Sequence, residues 1–251
     1  MVAENFLQDL RVREWLNGVE PAWTLLTFDS LHALREQRSM REGPIRFATN
    51  LTADDIEASA AARNALILIR RAIETAGFPV TTTGNLTRAV VAEMCKLIDW
   101  PDYDQAEAFR FSKVINEPDF MPLHIVRLLC EAAGLVTIKR GKLVATSLGN
   151  QFFSGPMQGE LIATLAATIF WRIDLRYFVR GLLGSWPQDH IGIALWSLSV
   201  CGEGWQLSEK LTRVCTIPKP DMLGGSWDRT EFFSRAGSCG RYFGSVCSII
   251  G

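Results

Sequence analysis

The stretch EAAGLVTIKRGKLVATSLGNQFF, residues 131–153, decides the fold. Its first residues close a helix, because Gly134 follows the apolar run LHIVRLLCEAA and supplies the left-handed position on which helices commonly end. Two runs of β-type residues come next, LVTIK and KLVAT, with Arg140-Gly141 between them, so the spacing predicts a β-hairpin at about Leu135 to Ala145. Ser147 then starts another helix. Upstream, Pro122 suits the first turn of the helix that Gly134 ends.

Farther out the pattern stays helical. Thr52-Ala53-Asp54-Asp55 is a helix start, and Ala58 to Ala76 is a run of strong helix formers with Leu66, Ile69 and Ile73 on one stripe, stopped at Gly77. A second helix is expected from Leu86 to about Asp99. A third, roughly Tyr103 to Ile115, is expected to carry Ala106, Phe109, Val114 and Ile115 inward. The helices from Ala61, Leu86 and Leu123 should share one core, burying Leu66, Ile69, Ile73, Leu97, Ile125, Leu128 and Leu129. Helix, glycine stop, hairpin and a T-x-x-G helix start resemble the third helix and wing of a winged-helix domain, over roughly Ala89 to Phe153. ETAGFPVTTTGNL looks like a shortened copy of the same unit, with Ala76-Gly77 matching Ala133-Gly134 and Gly84-Asn85 matching Gly149-Asn150.

The expected fold class is therefore mainly α: a winged-helix-like helical domain with one β-hairpin as its wing, plus a C-terminal helical unit. Residues 1–52 read as an N-terminal helical extension, with one amphipathic helix over Asn5 to Leu16 and a second, LHALREQRSM, capped by Asp29 or Ser30. Residues 53–155 form the winged-helix-like domain. Residues 156–233 form a helical domain in which Leu161 to Leu183 and Ile191 to Val200 are rich in Ile, Leu, Trp and Phe. Residues 234–251 are an irregular tail of Gly, Ser and Cys without a stripe to bury; an altered reading frame is one explanation for it.

Composition narrows the classes of function. Of 251 residues, 48% are hydrophobic and 21% charged, enough apolar surface to offset the chain entropy lost on folding. A formal charge of -1, from 26 Lys and Arg against 27 Asp and Glu, gives no global attraction to phosphate or to an anionic membrane. The amino terminus, MVAENFLQDLRVREWL, alternates charged with apolar residues and lacks a secretory signal's apolar core. The longest apolar run, Leu161 to Trp171, falls short of the ~20 residues that span a bilayer. A cytoplasmic protein with no membrane partner is expected. Six cysteines contain no C-x-x-C pair; Cys95 and Cys130 lie in apolar helical runs and read as core residues.

Catalytic chemistry finds no constellation. His32, His124 and His190 sit in separate elements without metal-ligand spacing, so no metal and no cofactor is expected, and His124 reads as a polar tip or a satisfied interior group. Gly134 to Lys142 ends in Gly-Lys, yet six residues separate its glycines and Leu143 follows the Lys, which excludes a phosphate loop. No G-x-S-x-G elbow occurs, and Asp54-Asp55 stands at a helix start where the helix dipole accounts for it. The chain reads as a non-enzyme. The basic run Arg35, Arg38, Arg41 and Arg46 is diluted by Glu36 and Glu42 and reads as a solvated face.

The runs TTTGNLTRAVVAEM and KVINEPDFMPLHIVRLLCEAAGLV, with the hairpin, resemble an uncharacterised bacterial family found beside the Ri-plasmid open-reading-frame domain of mobile elements. The resemblance extends from about Leu51 to Phe233 and implies a plasmid or transposon setting; the family has no assigned activity to carry over. Two functions stay open. The first is a DNA-binding accessory factor touching double-stranded DNA through Lys139, Arg140 and Lys142 at the wing tip, with Arg88, Arg127 and His124 adding contacts from neighbouring helices. The second is a non-catalytic helical module that binds another protein, favoured by how few polar residues LHIVRLLCEAA offers to a base. An enzyme of unknown type ranks below both.

Overall fold

The computed structural model describes residues 2–39, 43–48, 50–101, 103–104, 109, 114–154, 158–177, 186–201 and 207–223. The protein is mainly α-helical with one small antiparallel sheet. Its described residues divide into two compact units, one from residues 2–47 and 174–223, the other from residues 48–173. The four segments expected from the sequence thus regroup: the amino-terminal helices pack with the C-terminal ones, while the helix Gln158–Trp171 joins the middle unit. Most of the expected third helix, and the whole tail from 234, lie outside the described residues.

In the terminal unit, the single helix expected over Asn5 to Leu16 is two, α1 (Val2–Gln8) and α2 (Leu10–Leu16). Asp9 divides them because its carboxylate accepts the Arg11 N–H at 2.9 Å, capping the second helix. α3 (Phe28–Glu36) is capped by Thr27 rather than Asp29 or Ser30; its hydroxyl accepts the Ser30 N–H at 3.2 Å. α10 (Ile191–Cys201) packs on α3, and Ile193, Trp23 and Leu34 form an apolar cluster. α11 (Ser208–Cys215) and the short α12 (Pro220–Leu223) also belong to this unit. Buried Arg213 on α11 donates to the Trp15 carbonyl at 2.8 Å, and the Trp23 indole donates to the Thr216 carbonyl at 3.0 Å.

The middle unit begins with α4 (Ala53–Ala58), started by a capping box in which Thr52 and Asp55 exchange hydrogen bonds. The long helix expected from Ala58 is interrupted at Ser59, which caps α5 (Ala60–Glu74) through the Ala62 N–H. Burial on α5 falls on Ala61, Ala62, Ala65, Leu68, Ile69 and Ala72. The expected stripe was therefore out of phase: Ile69 is buried, Leu66 is half-buried and Ile73 is exposed. Small alanines take the closest-packed positions, and that displaces the larger residues by one around the helix. The same holds elsewhere, since Leu129 is buried, Ile125 and Leu128 are half-buried, and Leu97 is exposed. Of the residues expected inward on the third helix, Ile115 is buried, but Phe109 and Val114 are exposed.

β1 (Phe78–Pro79) follows α5, then α6 (Arg88–Met94), α7 (Met121–Ala132), β2 (Val136–Lys139), β3 (Lys142–Ala145), α8 (Ser147–Ser154) and α9 (Gln158–Trp171). The hairpin forms where the sequence places it. Its two-residue turn holds Arg140 at φ 52° and Gly141 at φ 74°, the primed geometry that matches strand twist. β1 adds a third strand that the sequence did not reveal, giving the order β1-β3-β2, with Phe78 opposite Leu143. Pro79 fits because it sits on an edge strand, where its missing N–H costs no central ladder bond. Phe78, Phe120, Phe152, Leu68, Met94, Leu123, Leu135 and Leu143 are among the large side chains buried here, each worth roughly 1.5–3 kcal/mol of transfer free energy.

The suggested internal copy is offset by one residue in its helix end. After α7 the left-handed residue is Gly134, and Leu135 N–H reaches back to the Cys130 carbonyl at 2.8 Å. After α5 the left-handed residue is Ala76 (φ 51°), and Gly77 makes the equivalent bond to the Ala72 carbonyl at 2.8 Å. Gly77 is held to glycine by its own φ of 95° and by packing, since a Cβ there would meet Val144 Cγ1 at 2.7 Å. Gly149 has a similar constraint: its Cβ would lie 2.2 Å from the Leu135 carbonyl oxygen, so only glycine lets α8 approach β2 so closely.

Candidate functional site

Six residues were candidates for a nucleic-acid face, and the structure separates them into two groups. Lys139, Arg140 and Lys142 stand together at the hairpin tip, all exposed, with Lys139 and Lys142 opposite each other in register. The segment leading to α6 runs alongside that tip, because Val80 N–H donates to the Gly141 carbonyl at 3.1 Å and Thr87 N–H to the Pro79 carbonyl at 3.2 Å. Arg88 follows at the first position of α6, exposed, with its Nε donating to Asn116 Oδ1 at 3.0 Å.

His124 and Arg127 do not belong to that face. Each is 5% exposed, and both point at Glu117, which is 0% exposed. Glu117 Oε1 accepts from His124 Nδ1 at 2.8 Å and from the Arg127 guanidinium; Oε2 accepts the Leu86 N–H at 2.6 Å. Arg127 continues to Glu131 Oε2 at 2.7 Å, one turn along α7. The expectation that His124 and Arg127 contribute to a DNA surface is corrected on this ground. A charge buried on an apolar helix needs a partner, and the partner lies in the interior. His124 is the satisfied interior group that was one of its two readings.

Burial alone would push the Glu117 carboxyl up, but the hydrogen bonds from His124, the Leu86 N–H and Arg127 outweigh it and hold the acid below its ordinary 4.5. Glu117 thus stays a carboxylate, satisfied by donors from three places: the strand-like segment before α6, and two positions on α7. It rests on a short 3-10 turn, Glu117–Asp119, fixed by a capping box between Asn116 and Asp119. The bond to Leu86 ties the end of TTTGNL to this network, and local bonds close the rest of the loop. Thr81 N–H donates to the Asn85 carbonyl at 2.7 Å, Gly84 N–H to the Thr81 carbonyl at 2.9 Å, and Val80 bridges Leu86.

Sequence reasoning missed Glu117. Its signal was present: His and Arg three apart on an otherwise apolar helix require a buried acid, and Asn-Glu-Pro-Asp just upstream supplies one. Two further pins hold the unit. Buried Asn64 on α5 exchanges bonds with the Asp99 backbone, donating to its carbonyl at 2.6 Å and accepting its N–H at 3.2 Å. Arg71 on α5 pairs with Glu93 on α6.

Thiol chemistry is suppressed in the interior. Cys95 and Cys130 are buried, as read from the sequence, and burial raises their thiols to about 11 and about 12. Cys215 is raised to about 12, by burial first and by Cys201 second. Among the described residues no group of three or more His, Cys, Asp or Glu is placed to hold a metal ion, and no helix is long and apolar enough to cross a membrane.

Residues 57–158 match the family model described as the Y4jL N-terminal domain. That span contains α5 through α8, the hairpin, and every residue of the Glu117 network. The chain is also similar to the uncharacterised protein y4jL of Sinorhizobium fredii (strain NBRC 101917 / NGR234), 33% identical over 89 residues, which is 35% of this chain and 40% of that protein. The chain thus spans 40% of the length of the curated relative it matches. No solved structure matches it. An uncharacterised family is what the similarity supports.

Proposed function

We propose that residues 53–154 form a winged-helix-like module that works without catalysis, by docking a protein partner. The winged-helix reading is supported by the order α5-β1-α6-α7-β2-β3 among the described elements and by the strand order β1-β3-β2. One observation carries the choice of partner: α7, in the position of a recognition helix, keeps its polar side chains for the interior. His124 and Arg127 are bound to Glu117, Glu131 is bound to Arg127, and the outward positions Met121, Ile125 and Leu128 are apolar. Of these polar groups only Glu131, 35% exposed at its side chain, keeps acceptor capacity toward solvent, so the helix offers a base edge little to read. Met121 and Ile138 keep 36% and 38% of their surface exposed, which suits a protein contact. A plasmid or transposon setting, implied by the resemblance above, makes the module an accessory protein of a mobile element.

The test is a photo-crosslinking residue placed at Met121 or Ile138 in producing cells. Both positions should yield one discrete crosslinked protein, and the exposed position Lys96 should not. Equal labelling from all three positions would remove the docking face.

A second reading, contact with the backbone of duplex DNA, is favoured by the exposed Lys139, Arg140 and Lys142 beside the segment that carries Arg88. Under it, replacing the three wing residues with Ala weakens binding to many sequences about equally and lowers the salt slope, because tip cations neutralise phosphates and do not read bases. Binding isotherms on random duplex at two salt concentrations decide it, and undetectable binding by the unmodified protein at low salt eliminates it.

A further inference from the structure

In the terminal unit, Arg35, Glu36, Arg38, Asp189, His190 and Lys219 line a cavity of about 340 Å³. We propose that this cavity binds a small phosphomonoester, with Arg35 and His190 as the groups that meet its phosphate. The size is at the lower end for small-molecule sites, which run roughly 300–1,000 Å³. Every lining side chain is charged or titratable, so the site suits a polar ion and not an apolar body. Lys219 neutralises Asp189 in an ion pair, which leaves Arg35 and Arg38 facing the single carboxylate of Glu36 at 4.0 and 3.9 Å. Positive charge is therefore in excess.

The two arginines differ in commitment. Arg38 Nη1 is anchored on the Arg35 and Gln37 carbonyls, at 2.5 and 3.0 Å. Arg35 has the long contact to Glu36 as its ion pair among the described residues, so its planar fork of donors is available. His190 sits on a 3-10 turn, Gln188–His190, that packs against α3, and its buried Nδ1 has no hydrogen-bond partner. Burial, and secondarily the charge of Arg35, lower its pKa, so the ring is neutral with one N–H to donate. Nδ1 itself is enclosed in protein, so the N–H that the neutral ring offers the cavity is Nε2–H, in the tautomer that leaves the buried Nδ1 without a proton. Donors arrive from α3 and from the 3-10 turn, while the Lys219–Asp189 pair from the segment before α12 closes the third side. A guanidinium fork and an imidazole N–H reaching the cavity from two different segments suit the several oxygens of a tetrahedral phosphate.

The experiment is calorimetric titration of the full chain at low ionic strength with ribose 5-phosphate and with succinate. Ribose 5-phosphate should bind saturably in the millimolar range or tighter, and succinate at least about tenfold more weakly. Arg35→Ala should reduce ribose 5-phosphate affinity by about tenfold or more, the loss expected for a hydrogen bond to a charged group. Arg35→Lys should recover part of it, and Arg46→Ala, an exposed cation outside the cavity, should change nothing. Arg35 is 62% exposed, so these variants keep the fold, which far-UV circular dichroism checks. Absence of saturable binding, equal affinity for succinate, or equal loss in Arg35→Ala and Arg46→Ala overturns the proposal.

Discussion

Replacing Glu117 with Gln removes a charge and little else, and its consequence is large because of what surrounds it. The carboxylate is fully buried and accepts from His124, Arg127 and the Leu86 N–H. An amide of the same shape has one acceptor oxygen and two donors, so at least one of those partners faces a donor. Arg127 is left 6% exposed at its side chain with Glu131 as its remaining acid. Breaking a buried pair from one side costs roughly 3–5 kcal/mol; because Glu131 still compensates part of the charge, the lower end, about 3 kcal/mol, is expected. Hydrogen exchange followed by mass spectrometry at pH 7 is the assay, since it reads the middle unit separately from the terminal one. The amides of residues 86–94 and 121–132 should exchange about a hundredfold faster in Glu117→Gln, at 1.4 kcal/mol per factor of ten. Glu117→Gln with Arg127→Met should cost less than the sum of the two single changes, because the second removes the charge that the first leaves unpaired. The sign with pH follows from the lowered pKa. The stabilisation is complete above the acid's ordinary 4.5 and is lost as pH falls through the lower folded value, and Glu117→Gln should not show this loss. A change of less than about threefold in exchange at pH 7 would refute the view that this network holds α7 in place.

Other consequences follow from single positions. Gly149→Ala drives a methyl into the Leu135 carbonyl and should destabilise the middle unit by about 1–3 kcal/mol in urea unfolding. Ala76→Gly relieves a left-handed alanine and should stabilise the same transition by about 1 kcal/mol, an increase absent from an alanine-to-glycine change inside α5, such as Ala65→Gly, which should be destabilising. Cys95, Cys130 and Cys215 should resist a thiol reagent at pH 8 in the native protein and react on unfolding; rapid labelling of Cys130 in the folded state would contradict its burial.

How much was legible in the sequence depended on whether the signal was local. The hairpin could be read from Leu135 to Ala145 because strand runs and a two-residue turn specify each other over a few residues. The Thr52 cap and the Gly134 stop were readable for the same reason. β1 was not, because two residues pairing with β3 across more than sixty positions leave no pattern of their own. The helical phase of α5 failed where alanines and larger apolar residues share a helix, since a stripe drawn through Leu66, Ile69 and Ile73 ignores that the closest contacts take the smallest side chains. Among the candidate site residues, Lys139, Arg140 and Lys142 are exposed at the hairpin tip, where the local turn signal puts them. His124 and Arg127 are not, because whether a polar residue on a helix faces water or a buried acid is decided by Glu117, which belongs to another element. The cavity around Arg35 was read as a solvated face for a like reason: Asp189, His190 and Lys219 reach it from far along the chain.

The central claim is that α7 is a structural helix whose polar groups are turned inward, and selection from a fully randomised duplex library tests it most directly. The full protein, immobilised and washed at low salt through successive rounds, should enrich no sequence, and any duplex it does retain should be lost when Lys139, Arg140 and Lys142 are changed to Ala. Enrichment of a defined motif, abolished by substitutions at Ile125 and Leu128 on the outward side of α7, would show a base-reading helix and contradict the account.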